Sequence, residues 1–131
     1  MNQVIHFRTS LFDVSKERKN PINPIYGLSL LEWLRKELSD ELAISEPDAE
    51  DWGWYSELEY EGNNYLIGSC AFFEQGDDPT AELEWVFQVD KHRSFKEKLL
   101  GKNKMSTSDG CFVYFKELLE KHPDIKEVQI G

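Results

Sequence analysis

Between Glu37 and Asp90 the chain has no lysine and no arginine, although those 54 residues carry 16 Asp and Glu. That gap excludes from the middle of the chain any site that grips phosphate with side-chain cations. Glycine is also missing where phosphate loops need it, since neither G-x-x-x-x-G-K-[ST] nor G-x-G-x-x-G occurs. Cysteine is limited to Cys70 and Cys111, and the three histidines, His6, His92 and His122, are scattered. No C-x-x-C or H-E-x-x-H spacing results, so no metal or cofactor is expected. The two cysteines sit among apolar neighbours and read as free thiols of a reducing compartment, with the cytoplasm as the expected location. No apolar run approaches the roughly 20 residues of a membrane span. Met1 to Arg8 contains no apolar stretch of signal-peptide length, and no lipidation motif is present. Low-complexity linkers and internal repeats are absent.

What is there suffices for a packed core. The 131 residues are 40% hydrophobic and 13% aromatic, and a chain of this length buries about 68–70% of its unfolded surface without a disulfide or metal. One domain spanning residues 1–131 is expected.

Periodicity supplies the elements. Gln3 to Thr9 reads as a strand, and Asn20-Pro21 with Asn23-Pro24 keeps the next segment extended. Leu30, Leu31, Leu34, Leu38 and Leu42 form one stripe, predicting a helix over 28–42 with a Ser29/Glu32 capping box. Residues 51–61 alternate: Trp52, Trp54, Ser56, Leu58 and Tyr60 point one way, Tyr55, Glu57, Glu59 and Glu61 the other. A Gly62-Asn63 turn leads into a return strand over 64–74, pairing Tyr60 with Tyr65, Leu58 with Ile67 and Trp54 with Ala71. A third strand over 81–89 sets Leu83, Trp85, Phe87 and Val89 against Glu82, Glu84, Val86 and Gln88. Ser94/Glu97 opens a short helix that Gly101 stops. A last helix covers 108–121, with Cys111, Phe112, Phe115, Leu118 and Leu119 inward, and a final strand over 126–130 buries Val128 and Ile130. The expected fold is α+β, in the order β-α-β-β-β-α-α-β. Helices cover one face of a mostly antiparallel sheet of about five strands.

Charge is segregated along the chain. Outside 37–90, the other 77 residues hold all 15 Lys and Arg against 9 acids. Glu57, Glu59, Glu82 and Glu84 fall on outward strand positions, where like charges repel unless screened or matched. Solvation is one use of such a surface. Another is to attract and hold a cationic protein. The loop into the central strand adds Asp48, Glu50 and Asp51 beside three large aromatics, and Tyr55, on the acidic side, is the candidate anchor. The candidate partner-binding residues are thus Tyr55, Glu57, Glu59, Glu82 and Glu84, with Asp48, Glu50 and Asp51 at the rim.

In size, net charge of −10 and exposed acids with aromatics, the chain resembles the small acidic immunity proteins that bacteria make against contact-delivered toxins. Those proteins share no common fold or signature, so no functional residue carries over. The resemblance implies a cytosolic protein that neutralises a basic toxin, while the net charge, which a phosphate backbone repels, and the lack of a long apolar run lead to no expected nucleic-acid or membrane partner. Two other readings stand beside it. One is a small hydrolase using a carboxylate pair, with His92 in a pocket. The other is a homodimeric structural or regulatory protein. No nucleophile motif supports catalysis, since Gly68-Ser69-Cys70 lies mid-strand.

Overall fold

Alternation of apolar and polar residues decides which face of each strand is covered, and the computed structural model, which describes residues 3–131, follows it through most of the sheet. Six strands pair antiparallel in the order β2-β3-β4-β5-β1-β6. They are β1 (Gln3–Thr9), β2 (Asp48–Glu50), β3 (Gly53–Tyr60), β4 (Asn63–Phe72), β5 (Leu83–Lys91) and β6 (Ile125–Ile130). Three helices, α1 (Leu28–Glu37), α2 (Phe95–Leu100) and α3 (Gly110–Lys121), complete an α+β fold. α1 lies over β3 and β4, and α3 against β6. Between helices and sheet sits the core. Ile5, Phe7, Ile67, Trp85, Phe87 and Val89 from the strands meet Leu30, Leu31 and Leu34 of α1 and Phe112 and Phe115 of α3. Among the described residues no helix covers the other sheet face, which is open.

Several details depart from the sequence reading. The β3–β4 turn is Glu61-Gly62, both with positive φ (48° and 83°), as a two-residue hairpin requires. Leu58 therefore faces Tyr65 and Trp54 faces Ser69, a register two residues away from the expected one. A shift of two leaves every side chain on its expected face, so the hydrophobic pattern could not reveal it. α1 stops at Glu37, not at position 42, because Ser39 and Asp40 favour turns over helix. Leu38 and Leu42 still pack on the core from irregular turns. Its N-terminus carries no capping box. The Glu17 carboxylate, from the preceding loop, instead accepts the N–H groups of Gly27, Leu28 and Ser29 and the Ser29 hydroxyl. In β6 the buried residue is Ile125. Val128 is half-buried and Ile130 exposed, because Glu127 adopts φ 54° beside a register shift against β1 and breaks the alternation.

Candidate functional site

β2 was not expected, and it shapes the site. Asp48 pairs with Tyr55 and Glu50 with Gly53, which puts Asp48, Glu50, Tyr55, Glu57 and Glu59 together on the open face along the β2 edge. The hairpin is held in place from behind. The Asn20 amide donates to the Glu50 and Gly53 carbonyls, Asn23 to that of Asp51, and Arg18 to that of Pro47. The Asn-Pro segment thus serves as a clamp for the acidic edge.

Alternate residues on one strand lie about 6.5–7 Å apart and neighbouring strands about 4.8 Å, so these side chains share one patch. Tyr55, half-buried at its centre, registers them. Its phenol is pushed above its ordinary pKa by burial first, then by the charges of Asp48, Glu57 and Glu50. Among the described residues, none of Asp48, Glu50, Asp51, Glu57 and Glu59 has a Lys, Arg or His nitrogen within 4 Å. Asp51 lies in the β2–β3 turn, exposed.

Glu82 and Glu84 do not join that patch. Asp90 is the β5 residue level with Glu57, and Glu84 lies six residues along β5 from it, which is about 20 Å. Glu82 is also compensated, and Glu84 has a histidine beside it. Glu82 lies 3.6 Å from Arg8 Nε and 3.3 Å from Lys126 Nζ, and Glu84 lies 3.8 Å from His6 Nδ1. The reason is topological: β1 slots between β5 and β6 and brings the basic N-terminal flank beside these acids.

Trp52 is corrected as well. The β2–β3 turn occupies Asp51-Trp52, so strand alternation begins only at Gly53. Trp54 is core, 1% exposed. The Trp52 indole crosses the open face above Gly68, where even a Cβ would come within 2.5 Å of the ring. Trp52 thereby walls a recess of about 340 Å³ with Gly68, Cys70, Phe72, Val86 and Gln88. Phe72 stands at its mouth, 52% exposed. No carboxylate or histidine lines the recess. The Cys70 thiol is pushed up by burial and then by the Glu17 charge, which keeps it protonated and a weak nucleophile. The carboxyls with shifted pKa, Asp78, Glu97 and Asp109, are all shifted down and serve a turn, a helix cap and an ion pair. His92 is exposed.

Sequence reasoning missed one buried polar cluster. Lys91 Nζ lies 2.6 Å from Asp109, with the two side chains 9% and 5% exposed. The Tyr65 hydroxyl donates to the same carboxylate, which also caps α3 through the N–H groups of Cys111 and Phe112. Burial pushes the Cys111 thiol up to about 12. No local signal pairs residues 65, 91 and 109, because each belongs to a different element.

Among the described residues, no helix is long and apolar enough to cross a membrane, and no group of three His, Cys, Asp or Glu could hold a metal ion. No family model matches the chain, and neither a curated protein nor a solved structure does.

Proposed function

We propose that this chain is a non-catalytic binding module that holds a basic protein along the β2 edge of its open sheet face. In that role it resembles an immunity protein that neutralises a cationic toxin in the cytoplasm. One observation carries the reading: Asp48, Glu50, Glu57 and Glu59 surround a half-buried tyrosine and have no internal counter-ion among the described residues. Grouping like charges costs stability, whereas a cationic partner docking there would remove the repulsion and be steered in by the field. The adjoining recess of Trp52 and Phe72 supplies apolar surface for the partner's centre of contact. Two free cysteines suit a reducing cytoplasm.

The test is the association rate of the partner, once it has been isolated by affinity capture, measured by stopped flow across ionic strength. Steered association should slow by about 10-fold or more as salt rises, with dissociation changing little. An association rate independent of salt would discard the electrostatic edge as the docking surface.

A further inference from the structure

A second surface of the molecule carries the opposite charge. Residues 91–104 hold six Lys and Arg against one acid, and α2 lies within them. α2 buries none of its side chains: Phe95 is 81% exposed, Leu99 73% and Leu100 54%. Phe95 and Leu99, four residues apart, form one ridge, with Lys96 and Lys98 on either side of it. Arg93, Lys96, Lys98, Lys102 and Lys104 take part in no ion pair among the described residues. Nor is this segment a loose strand. The Ser94/Glu97 capping box closes the start of α2, Arg93 donates to the Lys102 carbonyl, and Asn103 bonds both Lys91 and Asn63. The apolar ridge is held out to solvent on a fixed base, and surface of that kind marks an interaction site.

We infer that α2 docks on the open sheet face of a second copy of this chain, so that two copies exchange arms about a two-fold axis. Charge complementarity selects this occupant. The ridge is apolar with cationic flanks, while the open face offers Leu66, Tyr55 and Trp52 bordered by Asp48, Glu57 and Glu59. Position supports closure. The His92 N–H bonds the Asn64 carbonyl and Glu59 pairs with Asn64, so the arm leaves the sheet level with the Glu59 end of the acidic patch. With the arm beginning at the Glu59 end of that face, a single axis satisfies each arm with the other copy's face. The inference shares the acidic edge with the binding role proposed above, and the arm then acts as an internal competitor of the basic partner. It rests on α2 and stands or falls separately.

Sedimentation velocity on the full chain tests it. The wild type should be dimeric at low salt and dissociate as salt rises. Phe95→Glu/Leu99→Glu should be monomeric with an unchanged circular dichroism spectrum, since α2 buries nothing. Lys96→Glu/Lys98→Glu should be monomeric, and so should Glu57→Lys/Glu59→Lys, because arm and face then repel. An equimolar mixture of these two should dimerise again, because each arm meets a face of opposite sign. A wild type monomeric at every concentration and salt overturns the inference, as does a dimer indifferent to all three substitutions. A monomer that instead co-sediments with phosphatidylglycerol vesicles through Phe95 and Leu99 also overturns it, by assigning the ridge to lipid. In each of these cases capture of a basic partner by the acidic edge can still be measured.

Discussion

Asp109 shows how much one side chain can join. It pairs with Lys91, accepts from Tyr65 and caps α3, so it ties β4 and β5 to the last helix. Burial by itself would raise its pKa, but hydrogen bonds from Lys91 and Tyr65, with the Lys91 charge, outweigh it and hold the carboxyl below the ordinary value. A carboxyl depressed in the folded state contributes stability that is present above its unfolded pKa, about 3.9, and lost as pH falls through the lower folded value. Asp109→Asn keeps a capping side chain but leaves Lys91 without its counter-ion, so it should cost about 3–5 kcal/mol at neutral pH. Urea unfolding should show that difference narrowing as pH falls below about 4, where the carboxyl of the unfolded chain begins to protonate, and closing below the lower folded value. A difference constant with pH would show that the charge is not what matters. The residues involved explain why sequence alone was silent. Trp54 was legible as core because strand alternation places it there, whereas Asp109 and Lys91 look like ordinary surface residues, and Tyr65 like one more inward-facing aromatic, until the fold brings them together. Trp52 was misread because a turn, invisible in the alternation, separates it from Trp54.

Elements were easier to read than the joints between them. Long alternation in β3 and β5 and the leucine spacing of α1 identify those elements directly. β2 escaped because three residues are too few to show a period, and the hairpin register escaped because a two-residue slip preserves faces. The start of α1 was misassigned for a different reason: its cap comes from Glu17, ten residues upstream of the N-cap Gly27 and outside any local motif. That arrangement makes a definite prediction. Glu17→Ala should destabilise the fold by about 1.5–3 kcal/mol, since it removes a charged acceptor from three backbone N–H groups at once. Glu17→Gln, which keeps an acceptor oxygen, should cost less. Denaturant midpoints of the two variants check the order, and equal losses would mean that the carboxylate's charge, rather than an acceptor oxygen alone, carries the whole contribution at that helix end.

At the scale of the whole molecule, the separation of charge along the chain did not translate into one acidic face. β1 and β6 carry their cations beside Glu82 and Glu84, while Glu57 and Glu59 remain uncompensated about 20 Å away. Strand order decides this, and the crossing of the N-terminal strand into the sheet is a long-range pairing that periodicity does not encode. The partition makes two parts of the acidic sheet behave differently, and it supplies an internal control. In side-by-side affinity capture of a basic partner from native lysate at low salt, Glu57→Gln/Glu59→Gln should lose the partner that the wild type retains, and Glu82→Gln/Glu84→Gln should keep it. Loss from the second variant with retention by the first, or retention by both, would contradict the assignment of the β2 edge as the docking surface.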